Sequence, residues 1–284
     1  MFSIITLLTI LVSNLECESD IGTGTIDNTG IYLEKVNGEL FYACPNGECE
    51  YYFHVPIAYG SQVPVALSVE APDLIDYRFL KMERGNVLCV ARMNEGVGYI
   101  NWESYLIVEN NLWEDLPSYV PMPDPSALPD SVTPWLISTD CSQLESPYVI
   151  DALQEVGPGI DNLIELADSI AAFCLDIPWG IPHDPWAFDA HYTLRWANTC
   201  TGHAHVASAL FRGNGIPSRA LLNVPTCLGS GECDQHWFVD FYLPDYGWVT
   251  LESTFGVCPV QPHEFMVTFV NEPYHEFTKW YRHS

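Results

Sequence analysis

The stretch Asn198–Leu222, NTCTGHAHVASALFRGNGIPSRALL, decides how the chain is read. Ala204, Ala207, Leu210 and Phe211 recur at helical spacing, and the small residues among them permit close packing. Asn198 or Thr199 can cap this helix, which is expected to run to about Phe211; the Gly213-Asn214-Gly215 turn supplies its stop. Cys200 then falls in the first turn, where unpaired backbone N–H groups and the positive end of the helix dipole favour a thiolate. A thiol so placed can be a nucleophile, a metal ligand, half of a disulfide or an inert core residue. The surrounding sequence has to separate these.

A nucleophilic thiolate needs a partner that accepts and donates a proton, most often an imidazole. Downstream, QHWFVDFYL alternates cleanly: Trp237, Val239, Phe241 and Leu243 form one face, His236, Phe238, Asp240 and Tyr242 the other. PDYG then turns the chain and WVTLEST returns it. A hairpin folded about Pro244 sets Glu252 opposite His236, and directly opposed Cβ atoms lie about 4.5–5.5 Å apart. A turn centred between Asp245 and Tyr246 instead slides the partner of His236 toward Phe255. In the first register a carboxylate fixes the imidazole tautomer and stabilises its cation, completing a Cys200–His236–Glu252 constellation.

Other readings of the same residues stay open. Cys200-x-x-His203 and Cys227…Cys233-x-x-His236 carry zinc-ligand types, but a second tight Cys-x-x-Cys pair is missing. Cys227 and Cys233 flank LGSGE and suit a disulfide across a turn, as Cys44 and Cys49 do across PNGE. Cys200 itself has nine other cysteines as disulfide partners. His203 and His205 point in different helical directions, so at most one faces the site and each reads as a structural histidine. Gly215-Ile216-Pro217 ends the helix and begins a strand, which leaves Arg219 to structural hydrogen bonds or an ion pair.

The 284 residues suffice for two domains of ordinary size, and 48% hydrophobic residues imply a packed core. Ten basic residues against 37 acidic ones give a formal charge of −27, a field that repels phosphate backbones and anionic lipid and excludes a nucleic-acid role. At the N-terminus, MFSIITLLTILVSNLECES has an apolar run from Ile4 to Val12, too short to span a bilayer comfortably. It fits the core of a signal peptide over residues 1–19, cleaved after Ser19 with Cys17 at −3; a buried N-terminal strand is the alternative. No later segment reads as transmembrane. Ten cysteines and a signal peptide imply export, to the periplasm or cell surface, and some disulfides.

Along the rest, residues 20–115 read as short strands: GIYLEKV, ELFYACP, EYYFHVPI, VPVALSVE, VLCVARM and YINWESYLIV are rich in β-branched and aromatic residues. An antiparallel β-sandwich is expected, with Ile100, Trp102, Tyr105 and Ile107 as a buried set interrupted by one slip. Residues 116–140 form a Pro-rich linker, with six prolines between Leu116 and Trp135. Residues 141–284 switch to helical periodicity. Ile160, Leu163, Leu166, Ile170 and Phe173 mark one buried face, Cys174 lies beside it, and Gly157-Pro158-Gly159 divides two helices. Trp179, Trp186, Trp196 and Trp237 can line a substrate groove, but most of them are read as core.

Cys200, His203-Ala204, ALFRGNGIPSR and QHWFVDFYLPDYGWVTLEST together resemble the core of the transglutaminase-like superfamily, clearly from about Leu194 to Gly256 and more weakly back to Pro147. The order of a β-rich part, a Pro-containing linker and helices is also similar to secreted bacterial and archaeal members. The resemblance implies an α+β chain: the N-terminal sandwich followed by a papain-like domain of helices and antiparallel sheet. It places the catalytic cysteine at Cys200, the histidine at His236 and the acid at Glu252, where the family usually has Asp. Thr199 stands where many members have Gly, and only the Cys200 backbone N–H is assigned to an oxyanion. The implied chemistry is acyl transfer on peptide or protein amides through a thioester, with no cofactor and no metal. The partner is a peptide or protein substrate at the cell surface or cell wall; hydrolysis, the outcome associated with exported microbial members, and cross-linking are both open. A catalytically inactive binding or structural module on the same fold is the competing reading.

Overall fold

A computed structural model of the chain describes residues 31–60, 62–82, 85–109, 113, 116–184, 187–225, 236–260 and 265–270. The signal-peptide reading of residues 1–19, the Cys227–Cys233 pairing and Trp186 lie outside the described residues. Among the described residues no helix is long and apolar enough to cross a membrane.

Strands dominate the first third. β1 (Ile31–Cys44), β2 (Cys49–His54), β3 (Gln62–Glu70), β4 (Leu74–Lys81), β5 (Val87–Met93) and β6 (Gly96–Glu109) form two antiparallel three-stranded sheets, ordered β1-β6-β3 and β2-β5-β4. Their facing sides share one apolar core, in which Tyr42, Cys89, Ala91, Met93, Ile100 and Leu106 are buried. This is the expected sandwich, and the Cys44–Cys49 disulfide closes the β1–β2 turn. GIYLEKV and ELFYACP are one continuous strand rather than two. The Asn37-Gly38 pair runs through it because Gly38 faces Trp102: a Cβ there would stand 2.2 Å from the indole Cε2. LIDYRFLK, strand β4, went unread because its exposed edge position leaves no alternation to detect. β6 corrects the expected slip. Its buried residues are Ile100, Trp102, Ser104, Leu106 and Val108 in unbroken alternation, while Tyr105 and Ile107 face outward. Ser104 is tolerated inside because its hydroxyl donates to the Ala66 carbonyl at 3.1 Å.

The six-proline segment is no solvated spacer. Two short 3₁₀ turns, Pro125–Ala127 and Thr133–Leu136, hold it, Val120 and Trp135 are buried, and the Leu163 N–H donates to the Val120 carbonyl at 2.7 Å. Helices α1 (Pro147–Val156) and α2 (Leu163–Leu175) follow, divided at Gly157-Pro158-Gly159 as the sequence implied. Leu163, Leu166, Ile170 and Cys174 are the buried face of α2. A short α3 (Ala190–Thr193) leads into α4 (Cys200–Gly213), the opening stretch. A third, four-stranded sheet, ordered β10-β7-β8-β9, comprises β7 (Ser218–Pro225), β8 (His236–Leu243), β9 (Gly247–Leu251) and β10 (Phe265–Val270), antiparallel throughout. α4 packs on it through Phe211, whose ring stacks on Phe241 with centroids 4.7 Å apart. β8 is buried on both faces: Val239 and Phe241 meet the helices, and Phe238 meets Ile57, Trp135 and Val267 on the other side. The result is a mixed molecule of helices and antiparallel sheets in which α4 and β8 form the centre of the second half.

The sandwich is joined to the four-stranded sheet by polar contacts as well. The Gln62 carboxamide donates to the Val267 carbonyl (2.9 Å) and accepts from the Val267 N–H (2.8 Å). Asn86 does the same with Val270, at 2.7 and 2.8 Å. These amides complete the backbone hydrogen bonding of β10 in place of another strand. Arg219, the last residue of GIPSR, pairs with buried Asp240 (3.2 Å), bonds the Tyr59 hydroxyl and lies 3.9 Å over the Trp248 ring, so the ion-pair reading of that arginine holds. Replacing Asn86 with Ala strips two buried backbone groups of their partners. The expected loss is about 2–4 kcal/mol of unfolding free energy, measured as a lower urea midpoint at unchanged slope.

Candidate active site

Cys200 is the first residue of α4, with Thr199 in extended backbone before it. The anchor of this helix start is Asn198, which is fully buried. Its Nδ2 donates to the Ala187 carbonyl (2.9 Å) and the Thr193 hydroxyl (2.8 Å), and its Oδ1 accepts from the Thr199 N–H (2.8 Å). Gly202 makes room for it: a Cβ there would stand 2.5 Å from the Asn198 Cγ. Asn198 is further laced to the loop before α3, since its N–H donates to the Pro178 carbonyl (3.1 Å) and its carbonyl accepts from Gly180 N–H (3.0 Å). Cys200 is a half-buried free thiol, packed against Ala204, Leu222 and Trp237.

His236 opens β8; its imidazole is hydrogen-bonded to Glu252, and the Cys200 thiol lies near enough to act on its charge. The Nε2–Glu252 Oε1 distance is 2.7 Å, which leaves Nδ1 as the nitrogen for the thiol. The expected register is corrected here. The β8–β9 ladder pairs Leu243 with Gly247 and Val239 with Leu251, which centres the turn on Asp245, a residue with φ of 68°. Continued, that ladder sets residue 252 across from Phe238, not His236. Glu252 therefore reaches its partner diagonally, a separation of about 7–8 Å between backbones that long side chains span. Its carboxylate is held from behind as well, accepting the backbone N–H groups of Thr254 (2.9 Å) and Phe255.

Burial works against charge on both partners, and in both the hydrogen bonds win. Burial disfavours the His236 cation, yet the bonds and charges of Cys200 and Glu252 outweigh it and push the imidazole up to about 9. Burial likewise disfavours the Glu252 anion, and the His236 bond with the two backbone donors brings it below the ordinary carboxylate value. The outer face of His236 is covered by Phe255, stacked at 6.0 Å and 14°.

His203, one turn after Cys200, is buried beside Glu252, with burial holding its imidazole below the ordinary histidine value. His205 is also buried, and its Nδ1 meets the Phe188 carbonyl at 2.7 Å. Both act as packed histidines. Trp237 is buried, but Trp179 and Trp196 are exposed, which corrects their reading as core. Neither Asn198 as an anchor nor Phe255 as a cover was anticipated; the former carried only a helix-cap signal, the latter none beyond lying just past Glu252.

Comparison with known proteins agrees with this geometry at the level of fold. The model of the transglutaminase-like superfamily matches residues 155–253, a segment that contains Cys200, His236 and Glu252. No curated protein matches the chain. Among solved structures, a candidate cysteine protease from Cytophaga hutchinsonii superimposes with a TM-score of 0.65 at 14% identity, over 85% of this chain and 83% of that one. A candidate protease from Parabacteroides distasonis, at 11% identity over 85% of this chain and 69% of that one, reaches only 0.32 and carries no argument. The α+β, papain-like fold is thus shared with the first of these along most of both chains.

Because His236 is raised, its contribution to stability is fully present below the ordinary value of 6.5 and fades as pH climbs toward about 9. Glu252 is lowered, so its contribution is present above the ordinary 4.5 and fades as pH falls below it. Glu252→Gln should therefore lose most stability, relative to the unaltered chain, between these limits, with the gap closing on either side in pH-resolved urea titrations. The imidazole signal of His236 in a proton NMR titration should move to lower pH in the same variant.

Proposed function

We propose that the chain is a cysteine-dependent acyltransferase acting on peptide or protein amides, with Cys200 as nucleophile, His236 as proton carrier and Glu252 as the acid that orients it. The observation that carries this reading is an imidazole bonded at 2.7 Å to a buried carboxylate, with a free thiol at a helix start near enough to act on its charge. The match of residues 155–253 to the transglutaminase-like superfamily supports it.

In this reading the Cys200 proton passes to His236 as the sulfur becomes the nucleophile. Its sulfur attacks the amide carbonyl carbon, and the Cys200 backbone N–H donates to the oxygen as charge gathers there. His236 passes its proton to the amide nitrogen, the C–N bond breaks and the amine leaves, with a thioester remaining on Cys200. Neutral His236 then takes a proton from water, or from an incoming amine, as that nucleophile attacks the thioester carbon; the C–S bond breaks and the thiolate returns. Water gives hydrolysis, which the likeness to a candidate cysteine protease favours; an amine gives cross-linking. Glu252 keeps its charge throughout and holds Nδ1 toward the sulfur. The Cys44–Cys49 disulfide supports a location outside the cytoplasm, at the cell surface or in the periplasm.

The test is a peptide-library digest with and without added amine, read by mass spectrometry for cleavage, deamidation and cross-links together. Turnover should vanish in Cys200→Ala and fall about 10²–10⁴-fold in Glu252→Gln. Turnover that persists in a folded Cys200→Ala chain would remove Cys200 as the nucleophile, and none in the unaltered chain would leave a binding module.

A further inference from the structure

Two exposed aromatic rings stand at the reactive pair, and the mechanism uses neither. Phe255 is 69% exposed although its ring stacks on His236. Trp179 is 59% exposed, its ring 6.1 Å from that of His203, one helical turn after Cys200. Scattered surface hydrophobics need no explanation. These two differ because their backbones are fixed by the same bonds that fix the reactive groups. Phe255 donates its N–H to the Glu252 carboxylate and lies in a turn closed by the Glu252–Val257 bridge (2.9 and 3.0 Å). Trp179 is bridged to Asn198, the anchor of the helix that starts with Cys200. Val257 and Ile181, next along the two loops, are exposed apolar residues as well. Rigid aromatic surfaces bind with little loss of conformational freedom, which is why they serve as anchors in recognition sites.

We infer that Phe255 and Trp179 are specificity-determining residues that bind a large apolar side chain, aromatic or long aliphatic, beside the reacting amide of a peptide substrate. This rests on the thiol-dependent reading above and adds the substrate class to it. An apolar occupant is favoured over a cationic one by the state of the local carboxylate. Glu252 is buried and saturated by His236 and two backbone donors, so it offers nothing to an incoming ammonium. Covering both rings with a substrate side chain also keeps water from the outer face of the His236 imidazole during acyl transfer.

The experiment uses the full chain carrying Cys200→Ala, so that peptides are bound and not consumed. Fluorescein-labelled hexapeptides, identical except for Phe, Gly or Lys at one position before a Gln, are titrated by fluorescence anisotropy. The Phe peptide should bind about tenfold tighter than the Gly peptide, and the gap should shrink to about twofold when Phe255→Ala and Trp179→Ala are added together. Both side chains are exposed, and Phe255→Leu, which keeps an apolar surface, should retain most of the gap. Equal binding of Phe and Gly peptides, a gap that survives the double substitution, or tighter binding of the Lys peptide overturns the inference. Amide turnover by the unaltered chain is measured alongside. Selective binding without turnover sinks the catalytic reading alone, and turnover without the binding gap sinks the subsite alone.

Discussion

A single buried carboxylate orders the site. Glu252 has given up hydration and recovers its hydrogen bonds from one imidazole and two backbone N–H groups. A carboxylate so placed can stay charged only while those donors stay where they are. It therefore dictates the orientation of His236 and leaves Nδ1 as the ring nitrogen open to a proton-transfer partner. The turn that supplies the two backbone donors is the one that lays Phe255 over the imidazole. Charge, ring orientation and the cover over the ring thus share one cause, and the fold around them serves mainly to keep β8 and α4 in contact through Phe211 and Phe241.

The parts of this arrangement that follow from local rules were legible in the sequence. A helix start is written in capping residues and small-residue periodicity, and the alternation of β8 separates His236 from Trp237 without reference to any other element. The two helices flanking Gly157-Pro158-Gly159 and the sandwich strands are visible for the same reason. Register was not legible. A turn centre displaced by one residue changes every cross-strand partner, and the left-handed conformation at Asp245 is not announced by its type in PDYG. Glu252 was named as the partner of His236 from a register that set the two directly opposite; the pair forms all the same because a glutamate can bridge a diagonal that the ladder does not oppose.

Burial across long range was the other blind spot. Trp179 and Trp196 look like core residues by composition, yet both are exposed, Trp179 on a loop tied to buried Asn198. The proline-rich segment looks like a spacer, yet Trp135 inside it is buried against Leu221, Phe238 and Val267. Both outcomes depend on contacts between residues far apart in the chain, which no window of local periodicity contains. Ser104 shows the converse: a polar residue in an apolar row suggested a slip in β6, when a single bond to the Ala66 carbonyl sufficed to bury it.

The amide groups of Gln62 and Asn86 carry one more implication. β10 lies at the margin of its sheet, and an open margin is a template on which a foreign strand can add. Here, among the described residues, the margin is met by the Gln62 and Asn86 side chains and the Ile57 N–H, which satisfy the ladder at Val267 and Val270 without forming a strand on it. The sandwich thus acts as an intramolecular stopper against self-association. A fragment trimmed to the helices and the four-stranded sheet would keep Cys200, His236 and Glu252 while baring the β10 margin as a template for a foreign strand.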